Sequence, residues 1–269
     1  MRALLQSILP VLAMVFPTAG ILASPPPSAV ISDLAPSGNL RAVINLGNPV
    51  LAKKDASTGE VQGVSVDLTR ELARRLGVAA EFVAVSSAGE SIEALKADRV
   101  DVGFFAIDPA RARDIFYTPP YVQIEGAYLV RNESPIRSNE DVDREGIRVA
   151  VGSKSAYDLY LTRELKKAKI ERAATSPAVV DYFIANHLEV AAGVRQQLEA
   201  DAKRIPSLRV LPGRFMVINQ AMGLQRGHEA GARFLTAFVE EIKASGFVAE
   251  ALKRHKIEGA SIAPACPSH

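Results

Sequence analysis

The sequence has no tryptophan, a single cysteine, aromatic residues at only 6%, and no excess of either charge, with 32 Lys and Arg against 30 Asp and Glu. Each shortage excludes something. A surface this close to neutral lacks the clustered basic charge that grips nucleic acid. So few aromatics offer no stacking platform for bases. The lone cysteine, Cys266 in the closing APACPSH segment, has no partner for an internal disulfide and is a poor start for a thiolate metal site or nucleophile. The chain also lacks a nucleophile elbow, a phosphate loop and any His/Cys cluster at metal spacing, so neither a metal nor another cofactor is expected. Beyond residue 23 no apolar run is long enough to cross a bilayer. What remains is a chain of 269 residues, 48% of them hydrophobic, which must be held together by its core and is long enough to build one.

Residues 1–23 read MRALLQSILPVLAMVFPTAGILA, with one charge at Arg2, a long apolar stretch and a small residue at the exit. That pattern predicts a secretory signal peptide and a periplasmic mature protein. A retained membrane anchor is the alternative. Pro10 and Pro17 interrupt the stretch, and the SPPPS segment at 24–28 follows it as a flexible start. No cysteine lies near the exit to carry a lipid.

After this leader, strand-like runs alternate with helix-like segments. Strands are expected at 40–46, 81–85, 100–105, 147–151, 171–174, 189–192 and 208–211. Helices are expected at 64–76, 91–97, 155–168, 176–187, 194–203, 227–245 and 247–255. Another helix is expected to open after Asp108-Pro109. Val64, Leu68, Leu72 and Leu76 fall on one helical face. Extended segments at about 127–131 and 214–222 lie between and after the two series. The predicted fold class is α/β: two α/β lobes joined by two hinge strands, with a ligand cleft between them. Lobe 1 takes in 34–128 and a return at 215–258, lobe 2 takes in 129–214, and 259–269 is expected to be a flexible tail. Ligand sites in such sheets lie at the carboxyl ends of strands, beside helix N-termini.

Particular motifs name a family. GNLR at 38–41, GEVQGVSVDL at 59–68 and ARRLGV at 73–78 resemble the opening of the extracytoplasmic solute-binding proteins of family 3, the polar amino-acid binders of ABC importers. LKADRVDV at 95–102 resembles their second signature, and IDPARAR at 107–113 running into FYTPPY at 116–121 resembles the third. VAVGSKSA at 149–156 resembles the start of their second lobe. Singly these motifs are common; in this order and spacing, over about 34–258, they are specific. The resemblance implies a type II periplasmic-binding-protein fold that closes on a small solute and presents it to an inner-membrane ABC permease. A monomer without enzymatic activity is expected. Two alternatives stay open: an enzyme on the same fold, since a few relatives are dehydratases of prephenate-like acids, or a ligand-sensing or docking protein that reports to a membrane receptor without transport.

In the resembling family, the arginine matching Arg111 forks onto the carboxylate of the ligand. A guanidinium suits that task because its paired donors match the two carboxylate oxygens. Standing alone, Arg111 reads better as a solvated arginine at a helix start, because single surface arginines are common. The loop at Ile107 and Asp108 offers backbone amides. Ser153 and Ser155, with Ala156 beside them, open a helix whose free amides favour an anion, though simple N-capping explains the serines as well. Lys154 either reaches the cleft or faces solvent. Asn45 and Asn48 are solute-binding amides or turn residues.

Departures from the family pattern narrow the ligand. The acidic residue that holds an amino acid's ammonium falls on Val194, and Asn45 also lacks charge. Ala106 stands where a hydroxyl is expected, and Phe104 replaces a small residue. The carboxylate half of the site is matched and the ammonium half is not, so the expected solute is a small carboxylate-bearing molecule, an amino acid or a related organic acid. A carboxylate lacking the amine, with an apolar body against Phe104, is the hypothesis these departures raise. Arg195 adds to the anion preference only if it turns inward. The four histidines, His187, His228, His255 and His269, are expected away from the cleft. Glu60, Glu90 and Asp108 are the remaining candidate acids for an enzyme.

Overall fold

A computed structural model describes residues 26–266; the expected signal peptide lies outside the described residues. The first lobe begins with α1 (Ser28–Leu34), β1 (Asn39–Asn45) and a short hairpin of β2 (Lys53–Lys54) and β3 (Val61–Gln62). It continues through α2 (Val64–Leu76), β4 (Ala79–Val85), α3 (Ala88–Lys96), β5 (Val102–Ala106) and β6 (Ile115–Tyr117). Strand β7 (Val122–Arg131) crosses to the second lobe. There a short 3-10 turn at Asn139–Asp141 precedes β8 (Arg148–Gly152), α4 (Ala156–Glu164), β9 (Lys169–Ala173) and α5 (Val179–Ala185). The lobe closes with β10 (Val190–Val194), α6 (Arg195–Arg204) and β11 (Leu208–Val210). Strand β12 (Met216–Gln225) returns to the first lobe, which ends in α7 (Glu229–Ala244), α8 (Phe247–Arg254) and β13 (Ser261–Ile262).

The strands run in the order β4-β1-β5-β12-β7-β10-β8-β9. Within each lobe the βαβ steps are parallel: β1 with β4 and β5, and β8 with β9 and β10. The two crossing strands pair antiparallel with each other from Val122 to Gly126 on β7 and from Met216 to Gln220 on β12. The expected two-lobe α/β architecture with two hinge strands is therefore the one observed. Gly126 stands at the crossing, where a Cβ would sit 2.7 Å from Met216 Cγ and 2.9 Å from the Phe215 ring. Any side chain there would push the hinge strands apart.

Local sequence explains most boundaries. Val64, Leu68, Leu72 and Leu76 are all buried, so α2 packs its one apolar stripe inward. It stops at Gly77, whose left-handed φ of 71° lets its amide reach back to the carbonyls of Ala73 and Arg74. Strand β5 is buried along its whole length, as the apolar VGFFA run requires of a strand covered on both faces.

Four expected segments differ. The helix after Asp108-Pro109 is a series of turns, because β6 begins at Ile115 and pairs with β12. The Asp108 side chain also accepts the Ala110 amide, a local bond that competes with helix propagation. Helix α4 stops at Glu164 rather than 168, since the Asp143 carboxylate takes the backbone amides of Lys166, Lys167 and Ala168. Helix α5 starts at Val179, leaving Pro177 in the preceding turn. The segment read as a tail from residue 259 carries β13, which pairs with Val122 and Gln123 of β7. There Ala263 is buried, and the Lys243 ammonium donates to the Pro264 carbonyl at 2.9 Å.

Candidate functional site

The carboxyl ends of four parallel strands converge where the lobes meet. From β1 come Asn45 and Asn48, from β5 Phe104 and Ala106 with the following turn to Arg111, from β8 the Gly152–Ser155 loop, and from β10 Val194. They enclose a narrow cavity of about 50 Å³, lined from both lobes. That space holds only a few waters. Of the residues picked out from the sequence, Arg111, Asn45, Asn48, Phe104, Ala106, Ser155, Ala156 and Val194 line it; Ser153 and Asp108 do not.

Arg111 is the one charged residue in the lining, and only 8% of it is exposed. Its Nη2 donates to the Lys154 carbonyl of the opposite lobe at 2.6 Å, while its Nη1 lies 3.5 Å from the Ala106 carbonyl. Lys154 adopts a left-handed backbone, φ 57°, and its amide is tied to the Asp158 carboxylate at 2.8 Å. That conformation aims the Lys154 carbonyl back at Arg111. Burial pulls the Arg111 pKa below its usual value, opposed by Tyr117 and the carboxylates of Asp108 and Asp158. A buried guanidinium under this desolvation pressure favours an anionic ligand.

The flanking residues divide between holding the frame and facing the space. Ser155 caps α4, its hydroxyl accepting from the Asp158 amide at 3.0 Å while the residue also borders the cavity. Asn45 is a turn former whose Oδ1 accepts the Gly47 amide at 2.9 Å. A Cβ at Gly47 would sit 2.5 Å from the Ser86 carbonyl oxygen, so the loop closes only with glycine there. The Asn48 Oδ1 is buried without a hydrogen-bond partner, as is the hydroxyl of Tyr157. Phe104 packs edge-to-face on Tyr121, with centroids 6.0 Å apart. Val194, buried at the end of β10, contributes an apolar side chain to the lining.

Arg195 does not turn into the cavity. Its Nε donates to Glu125 on β7 at 2.8 Å, and Arg214 holds the same carboxylate at 2.7 Å, so the hinge takes it up. These partners, Arg214 first, keep the Glu125 carboxyl below the usual range. Asp108, 3% exposed, is engaged by Arg163 from the other lobe at 2.9 Å. Glu60 is exposed, and Glu90 accepts the Ser86 amide. His228 faces Asp33 and His255 faces Asp67, each outside the cavity lining, as is His187; His269 lies outside the described residues. Among the described residues no group of His, Cys, Asp and Glu is placed to hold a metal ion.

Several lining residues escaped sequence reasoning: Ser65, Ser91, Ser176, Tyr157 and, on the hinge strand β12, Gln220. Gln220 was legible in principle. It is a fully buried amide, 5% exposed, in a mostly apolar strand beside the half-buried Asn219, and such a residue calls for a partner.

The sequence model of the bacterial extracellular solute-binding proteins, family 3, matches residues 41–257. No curated protein sequence matches the chain. Among solved structures, the L-cysteine solute receptor of Neisseria gonorrhoeae is similar with a TM-score of 0.74 at 21% identity, covering 86% of this chain and 94% of that one. A putative ABC-transporter binding component of Wolinella succinogenes, complexed with lysine, gives 0.70 at 22% identity over 81% and 95%. An ancestral amino-acid-binding protein, described as a precursor of cyclohexadienyl dehydratase, gives 0.70 at 20% identity over 83% and 98%. At these identities the likeness establishes the fold.

Proposed function

Because the chain belongs to the bacterial extracellular solute-binding proteins of family 3, we propose that it is a periplasmic receptor that captures a small carboxylate lacking an amino group and delivers it to an ABC-type importer. One observation carries this reading: the cavity lining holds a single cation, Arg111, and no carboxylate. An α-amino acid brings an ammonium as well as a carboxylate. With Val194 and Asn45 where an acid would serve, that ammonium would be buried without a counter-charge, which is costly by several kcal/mol. A carboxylate alone meets Arg111 and leaves the serine, asparagine and glutamine groups for neutral hydrogen bonds. Phe104 and Phe105 then border the apolar body of the solute.

Solved relatives described as an L-cysteine receptor and as a lysine complex support binding of a carboxylate-bearing molecule, and the absence of a carboxylate from the lining supports an amine-free one. The dehydratase alternative gains no support from the lining, which carries no carboxyl, imidazole or thiol to act as a general acid.

The test is a thermal-shift and calorimetry panel of the mature protein against matched pairs, each an α-amino acid and its amine-free analogue. An amine-free acid should stabilise the protein, by about 2.7 kcal/mol at a hundredfold excess over its dissociation constant. Binding of the amino acid alone within a pair overturns the reading.

A further inference from the structure

Arg111 lies in an alternating series of charges that runs across the interface. Asp108, in the lobe 1 turn after β5, pairs with Arg163 of α4 in lobe 2. Asp158 of α4 pairs with Arg172 of β9 at 2.9 Å. Asp108 and Asp158 both act on Arg111 electrostatically. The first of these pairs is the one built between lobes. Its carboxylate is set in place before the lobes meet, because Oδ1 already accepts the Ala110 amide at 2.8 Å. Arg163 then forks onto it, with Nη2 to Oδ2 at 2.9 Å and Nη1 to Oδ1 at 3.4 Å. The Asp108 side chain is 4% exposed and that of Arg163 43%, so the pair is screened on one side only.

We propose that Asp108 and Arg163 are an interlobe latch: positioning residues that hold the closed form, and so raise solute affinity, without touching the solute. This role rests on the receptor reading above for its purpose but not for its physics. The pair's geometry exists only while the lobes are together. Parting them returns a buried carboxylate to water and frees the arginine. A second consequence concerns charge. With Arg163 in place, Asp108 has its own counter-ion and does not compete with the solute for Arg111. Both ends of α4 thereby serve closure, Ser155 at its start beside the cavity and Arg163 in its last turn on the latch. An arginine at the exposed end of a helix gives no such signal in the sequence.

The experiment measures closure directly, with no solute. Spin labels go on Arg99→Cys in lobe 1 and Glu145→Cys in lobe 2, both exposed, in a Cys266→Ser background. The distance distribution is then read for the unmodified latch, Arg163→Gln, Asp108→Asn, the double variant and Arg163→Lys. The unmodified latch should populate a closed component. Each single variant should lower the closed-to-open ratio about tenfold, equivalent to about 1.4 kcal/mol. The double variant should lose no more than either single one, as expected of two partners in one interaction. Arg163→Lys should keep part of the effect. A closed component absent with the latch intact, unchanged in Arg163→Gln, or lost additively in the double variant overturns the latch. The readout needs no ligand, so a failed solute panel leaves this result standing, and the reverse also holds.

Discussion

Replacing Arg111 by methionine should abolish tight carboxylate binding and leave the fold intact. Methionine keeps much of the length and none of the charge. A carboxylate forked on the guanidinium makes two charge-assisted hydrogen bonds, each worth about 1.5–3 kcal/mol. Their loss is about 3–6 kcal/mol, or two to four orders of magnitude in dissociation constant. The cost to the fold is small for a structural reason. Asp108 and Asp158, the two carboxylates nearest in effect, keep Arg163 and Arg172 as partners, so removing Arg111 strands no buried anion. The Lys154 carbonyl loses its 2.6 Å donor, one hydrogen bond at the cleft. Against that stands relief of the desolvation that depresses the Arg111 pKa. The assay pairs calorimetric titration of the best carboxylate with thermal melting. Arg111→Lys keeps the charge but not the fork, and should bind about tenfold more weakly than the parent. If Arg111→Met binds within about threefold of the parent, well short of a tenfold change, the arginine does not hold the carboxylate. If it fails to fold, the claim that the two carboxylates are independently paired is wrong.

Two other outcomes are expected. Val194→Asp should lower the melting temperature of the ligand-free protein, because a carboxylate at this buried position has no partner, and α-amino acids should restore it while amine-free acids lose affinity; unchanged ligand preference would sink the assignment of Val194. Burial pushes up the hydroxyl pKa of Tyr117, to about 12, and those of Tyr121, Tyr128 and Tyr157. A raised folded pKa stabilises fully below the unfolded value of about 10 and is lost as pH climbs through the folded one. Tyrosinate absorbance at a pH of about 11 should therefore report at least three of the six tyrosines, Tyr117, Tyr121 and Tyr128, still protonated while the protein is folded; ionisation of more than three before unfolding contradicts the burial of these hydroxyls.

The two-lobe fold was legible because its signals are local. Apolar runs marked β1, β5 and β8, the Val64–Leu76 stripe marked α2, and the motifs around Arg111 and Ser155 lay at strand ends, where such sheets gather ligands. Local signals failed wherever a distant side chain decided the outcome. Asp143 ends α4 by taking amides more than twenty residues away, and β12 draws the Asp108–Asp114 segment out of a helix and into the turn before β6. Glu125 draws Arg195 to the hinge from 70 residues away. Asp108 illustrates the limit best. From the sequence it was a candidate for touching solute or for acid catalysis, since a carboxylate beside Arg111 supports either role. Its actual partner, Arg163, is 55 residues further on and in the other lobe. The same partnership leaves Arg111 as the cation without a carboxylate of its own at the cavity, and for that reason charge selection and lobe closure converge on one turn of the chain. On the proposed reading, a carboxylate that enters meets the one cation of the cavity lining, where the lobes meet, so the solute favoured by the charge pattern would also favour closure.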